Sequence, residues 1–185
     1  STAKKLREFY DVYYWPNNAT LSVFGDVSLA TVQKAVQKYF GKIPAAKHPI
    51  PAMTVVEPEQ DAPRSVRVEK PGGISVAKIA YKIPEGTNPD FAALVLLTSI
   101  LSGGFSSRLQ KKLVDTGLAA DVAGFIHPLI NPGLLVFTAH CSPKVAPERI
   151  VQIMRTEIET LAHNGANKEE LKRAQERFMS ESAME

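Results

Sequence analysis

The spacing of apolar residues changes along the chain, and each change predicts an element. Residues 3–14 carry a helical pattern that Pro16 stops, because proline has no amide to continue a helix. Residues 19–24 then alternate, with Leu21 and Val23 on one face, which predicts a strand. Ser28 is placed to cap a second helix, whose apolar stripe is Leu29, Val32, Val36, Tyr39 and Phe40 and whose end is marked by Gly41. This helix–strand–helix block, residues 1–43, is too small to stand alone and reads as the C-terminal tail of a preceding domain.

Pro44, Pro49, Pro51, Pro58 and Pro63 follow in quick succession, so residues 44–64 read as an extended linker. Residues 65–185 read as a second domain, cut short at its C-terminus. It begins with Val66 and Val68 alternating in a short strand and a turn at Pro71-Gly72-Gly73. Residues 74–83 predict another strand. Its apolar phase slips between Val76 and Ile79, which suggests a bulge or two buried faces. Asn88-Pro89-Asp90 has the form of a helix start, and residues 91–101 are apolar almost all round, as in a buried helix.

Ser107 and Gln110 have capping-box spacing for the next helix, with Leu109 and Leu113 on its core face and Gly117 at its end. Two strands, residues 118–126 and 134–141, are joined through Asn131-Pro132-Gly133. Pro147 opens a long helix carrying Ile150, Val151, Met154, Ile158 and Leu161. Asn167 and Glu170 box the start of a last helix with Leu171, Ala174 and Phe178 in its stripe. Paired strands separated by helices predict an α+β fold, with a mainly antiparallel sheet and helices packed on one face.

Composition narrows the function classes. Lys and Arg number 22 against 19 Asp and Glu, a net charge of only +3, and the basic residues are scattered rather than striped. That argues against a nucleic-acid partner. The longest apolar run, residues 91–97, is too short to cross a bilayer, so no membrane span is expected in this segment. The single cysteine, Cys141, cannot form an internal disulfide and leaves the redox compartment open. With no initiating Met and no evident stop, the chain reads as a fragment.

Candidate chemistry is sparse. The histidines are His48, His127, His140 and His163, and no two have the three- or four-residue spacing of a helical zinc motif. His140 and Cys141 are adjacent in a predicted strand, where neighbouring side chains point to opposite faces. No metal site and no catalytic residue is expected in this chain. Asn18-Ala19-Thr20 fits a glycosylation acceptor, but a turn after Pro16-Asn17 explains the asparagines. Gly103-Gly104 lacks the Gly-Lys-Ser/Thr ending of a phosphate loop and reads as a flexible turn between helices.

Two phrases carry a resemblance. The first is Phe9-Tyr10-Asp11-Val12-Tyr13-Tyr14-Trp15-Pro16-Asn17-Asn18-Ala19-Thr20-Leu21, running on to Gly25-Asp26. The second is Leu101-Ser102-Gly103-Gly104-Phe105-Ser106-Ser107-Arg108-Leu109, followed by Gly117-Leu118-Ala119. Together they resemble the non-catalytic region of the insulinase/pitrilysin family of zinc metallopeptidases, and the H-x-x-E-H metal motif of that family is missing.

The resemblance implies the same α+β fold. It implies a sister domain that helps enclose a peptide-degrading chamber, with zinc in the parent protein and none bound by this chain. Its partners would be a catalytic domain, in the same or another chain, and a peptide substrate. The fragment is expected to self-associate. By the same resemblance, Gly103, Gly104, Phe105, Ser106, Ser107 and Arg108 form a candidate substrate-contact loop, Arg108 being read first as a surface charge at a helix start.

The Arg and Tyr with which companion halves of the family hold substrate are not found here. Val114 and Ala120 stand in their places, without side-chain donors. The rival reading is an inactive scaffold related to respiratory core subunits. The parent's compartment, bacterial periplasm or cytoplasm among the candidates, is left open.

Overall fold

A computed structural model describes residues 2–52 and 58–183, which divide into two compact units, residues 1–66 and 67–185. Part of the expected linker, residues 53–57, and the chain end at Met184-Glu185 lie outside the described residues.

The first unit contains helix α1 (Ala3–Tyr13), a 3-10 turn (Pro16–Asn18) and helix α2 (Leu29–Phe40). The Thr2 hydroxyl caps α1 by accepting from Lys5 N, and the Ser28 hydroxyl caps α2 by accepting from Thr31 N. Asn17 and Asn18 act in the turn. Asn18 Nδ2 donates to the Tyr13 carbonyl at 2.9 Å, and Asn17 Oδ1 accepts from Ala46 N at 2.9 Å. Gly41 ends α2 as expected, in right-handed geometry. A Cβ there would lie 2.5 Å from the Gln37 carbonyl.

Residues 19–24 form no strand, and Leu21, Val23 and Phe24 are exposed. A strand needs a neighbour to bond to, and none lies beside these residues within the described part of the unit. Val66 and Val68 are likewise exposed and unpaired as strand. No described residue from 2 to 66 is buried.

The second unit contains the core. Strand β1 (Val76–Ile83), helix α3 (Phe91–Ser102), a one-turn π-helix (Gln110–Val114), strands β2 (Ala119–Phe125) and β3 (Gly133–Cys141), and helices α4 (Pro147–Asn164) and α5 (Lys168–Ser182) follow in order. The sheet has the order β1-β3-β2 and is antiparallel throughout. Ile79 and Gly124 both pair with Phe137 at the centre. One face carries Ala77, Ile83, Leu135, Phe137, Ala139 and Cys141, all buried, while Lys78, Ala80 and Lys82 on the other face are exposed.

The apolar slip expected in β1 resolves without a bulge. Pairing is continuous from Val76↔His140 to Ile83↔Gly133, and Val76 simply lies on the exposed face. The sheet's bulge lies in β2, where Ala119 pairs with Cys141 and Asp121 with His140, leaving Ala120 as the extra residue.

Helix α4 packs on β1 and β3, α3 packs on β2 and α5, and the π-turn packs on β2 and α4. Helix α3 begins at Phe91, where its expected apolar run starts, but Asn88 does not cap it and Pro89 is not its first helical residue. Asn88 Oδ1 instead accepts from Asp90 N, forming a turn ahead of the helix. At α5 the capping box forms as expected: Asn167 Oδ1 accepts from Glu170 N, and Glu170 Oε2 accepts from Asn167 N.

Candidate functional site

The loop singled out by the sequence begins where α3 ends. Gly103 N donates to the Ser99 carbonyl at 2.7 Å, and Gly104 N to the Ser102 carbonyl at 3.1 Å. The two glycines are required for different reasons. Gly103 has a negative φ, but a Cβ on it would lie 2.4 Å from the Ser99 carbonyl. Gly104 has φ +91°, which L side chains rarely adopt. Phe105, at the tip, is 90% exposed.

The capping box expected at Ser107 and Gln110 does not form. Ser107 is buried, its hydroxyl has no hydrogen-bond partner, and its carbonyl accepts from Lys111 N. The helix widens into the π-turn two residues after Arg108, and Asp115 N reaches back to the Gln110 carbonyl. Leu109 and Leu113 are fully buried, as their spacing predicts.

Arg108 is not the free surface charge expected at a helix start. Its Nε and Nη2 donate to the two carboxylate oxygens of Glu170, each at 2.8 Å, and Nη2 also donates to the Gly165 carbonyl. The side chains are 17% and 15% exposed. The Arg108 hydrogen bond is the main force holding the Glu170 carboxyl below its usual range, helped by the Asn167 amide and opposed by burial. One carboxylate therefore caps α5 and fastens the start of the π-turn segment to it. Sequence spacing points to the cap but not to the ion pair, because 62 residues separate the partners.

His140 and Cys141 lie on opposite faces of β3. His140 Nδ1 contacts the Asp121 carboxylate at 2.8 Å on the exposed side. Cys141 is buried in the core, and desolvation pushes its thiol up, which keeps it protonated and unreactive. Among the described residues, no three His, Cys, Asp or Glu side chains converge as metal ligands. The donors among these described residues do not fit a zinc ion.

Val114 closes the π-turn, and Ala120 is the extra residue of the β2 bulge. Both offer only aliphatic side chains to whatever lies beside them. Gly124, absent from the sequence-based candidates, brings α3 against the sheet. A Cβ there would lie 2.4 Å from Ser102 Oγ and 2.8 Å from the Phe137 ring. A glycine inside an alternating strand is the signal that could have found it.

Residues 1–178 match the family described as the peptidase M16 inactive domain. The chain belongs to this family. The M16 inactive domain described here is 33% identical over 153 residues to a zinc protease of Helicobacter pylori, PqqE, covering 80% of this chain and 34% of the relative. The crystal structure of a protease from Helicobacter pylori covers 100% of the chain with a TM-score of 0.87 at 28% identity, and the chain covers 45% of it. The crystallised inactive peptidase domain of a zinc protease from Bordetella parapertussis matches at 31% identity with a TM-score of 0.54, over 62% of this chain and 63% of that one. The chain thus spans less than half the length of these Helicobacter relatives. The α+β fold and the insulinase/pitrilysin membership drawn from the two sequence phrases both stand.

Proposed function

We propose that this M16 inactive domain belongs to a longer zinc metalloendopeptidase that degrades peptides. It encloses part of the substrate chamber and supports a catalytic domain in the same or a partner chain. The observation that carries this reading is the match to the inactive-domain family over residues 1–178. The 33% identity to a zinc protease supports it further. Hydrolysis, and the zinc it requires, are assigned to the other domain.

The test is made on the parent protein. Its zinc content and its cleavage of quenched fluorescent peptides are measured with and without residues 67–185. The expected result is a zinc content near one per chain in both forms and a large loss of peptidase activity in the shortened one. Undiminished cleavage by the shortened form would defeat the proposal. The present chain, purified without a tag and dialysed, should carry no stoichiometric zinc.

A second reading is an inactive scaffold: Val114 and Ala120 lack the donors a substrate-holding half would use, which fits either a half that bears the zinc upstream or one that has lost both functions. The upstream sequence separates the two. An H-x-x-E-H motif there selects the peptidase, and its absence selects the scaffold or a paired inactive subunit.

A further inference from the structure

Two apolar surfaces of the first unit follow one another in the chain, and neither is covered. The chain leaves the Pro16–Asn18 turn at Ala19 with extended backbone (φ −125°, ψ 142°). Leu21 and Val23 then alternate with Thr20 and Ser22, and both apolar side chains are about half exposed. Gly25 to Ser28 lead into α2, a connection of the length usual between a strand and its following helix. Along α2, Leu29, Val32, Val36 and Phe40 form one stripe, with Leu29 72% and Phe40 51% exposed. Solvent can serve the exposed backbone of residues 20–24, so its lack of protein partners alone carries no weight. The apolar groups carry it: a period of two followed by a helical period is the pattern of a β–α unit that packs on a sheet.

That pattern limits the partner. A groove or another helix could cover the α2 stripe, but only a strand can match the backbone of residues 20–24. A second copy of this chain offers its own residues 20–24, which would make a two-stranded ribbon, marginal by itself. A sheet already formed, with an uncovered apolar face, meets both needs at once. The Helicobacter relatives have the length to hold one, since this chain covers only 34% and 45% of them.

We propose that in the parent chain residues 20–24 add as a strand to the sheet of the domain to which zinc is assigned above, and that α2 lays its stripe on a face of that sheet. This rests on the reading of the chain as part of a longer zinc protease. It deepens that reading, because the support given to the catalytic domain becomes a shared sheet.

The test is hydrogen exchange of residues 17–27, followed by mass spectrometry in the parent protein and in the present chain at low concentration. The expected result is exchange at residues 20–24 at least about a hundredfold slower in the parent, at every protein concentration. Ser22→Pro and Val23→Pro, made separately in the parent, remove consecutive backbone donors, and at least one should abolish the protection. Ser22→Thr should keep it. Where a proline variant fails to fold, the comparison of unaltered proteins decides. Fast exchange at residues 20–24 in the parent would overturn the proposal. Protection that disappears on dilution would also overturn it, by assigning the neighbouring strand to a second copy. Slow exchange in a parent that holds no zinc and cleaves no peptide would defeat the peptidase reading while upholding the shared sheet.

Discussion

Arg108 and Glu170 meet as a fork on a fork, each mostly shielded from water. In such a pair, removing one partner costs more than the pair contributes, because the other charge is left half-buried and alone. Arg108→Ala is expected to lower stability by about 2–3 kcal/mol, read from the urea midpoint. Arg108→Lys should fall between, since an ammonium cannot reproduce the two parallel bonds. A loss below about 0.5 kcal/mol for the alanine variant, the range of an ordinary surface change, would mean the pair is decorative.

The same pair sets an acid response. The fold holds the Glu170 carboxyl low, so its contribution is fully present above the unfolded value of about 4.5 and is lost as pH falls through the lower folded value. Glu170→Gln should therefore unfold with a shallower pH dependence than the parent below about pH 4.5.

The paired glycines give a second prediction at this scale. Gly103→Ala should cost more than Gly104→Ala. Its Cβ would meet the backbone of α3 at 2.4 Å, whereas at Gly104 it meets only the movable end of Arg177 at 2.9 Å. Gly104→Ala carries in addition about 1 kcal/mol for the positive φ. If the loop is a turn alone, peptidase activity per folded molecule of the parent should survive both changes. A tenfold drop in kcat/KM, about 1.4 kcal/mol of transition-state binding, at an unchanged melting temperature would instead make the loop part of a working site.

At the scale of elements, close approach matters more than periodicity. Gly124 lets α3 settle onto the sheet beside Phe137, and Ser102 and Thr98 fill the space a side chain would take. Gly124→Ala is expected to cost about 1–3 kcal/mol through overpacking, and Phe137→Ala about 3–5 kcal/mol through the cavity it leaves. Thermal unfolding of both variants checks this, and a Gly124→Ala variant as stable as the parent would contradict it.

These two positions also show what can be read in advance. Phe137 sits in a strand whose alternation is plain from residues 134–141, and Leu109, Leu113, Ile150 and Met154 reach the core as their spacing requires. The α5 capping box is legible because both its halves lie within one turn. Residues 19–24 mislead because alternation reports a face and not a neighbour. Ser107 misleads because a capping motif competes with tertiary packing, which here widens the turn into a π-helix and buries the hydroxyl. The Arg108–Glu170 pair depends on a contact distant in sequence, and no local pattern encodes it.

At the scale of the whole molecule, the first unit displays Leu6, Phe9, Tyr10, Leu29, Tyr39 and Phe40 to solvent, with Phe24 90% exposed. So much exposed apolar surface is unusual in a monomer and favours association. Light scattering on the full chain is expected to show dimers or larger species that grow with concentration and shrink when Phe24 and Phe40 are changed to serine. A clean monomer at high concentration would argue that this surface is not adhesive.

The absence of any buried residue among the described positions of the first unit also bears on how the chain would register a denaturant. The slope of stability against urea follows the surface newly wetted on unfolding. The described residues of the first unit have little left to wet. The slope should match a domain the size of residues 67–185, not one of 185 residues. Deleting residues 1–66 should leave that slope nearly untouched, whereas a slope scaled to the full length would reveal a hidden interior in the first third of the chain.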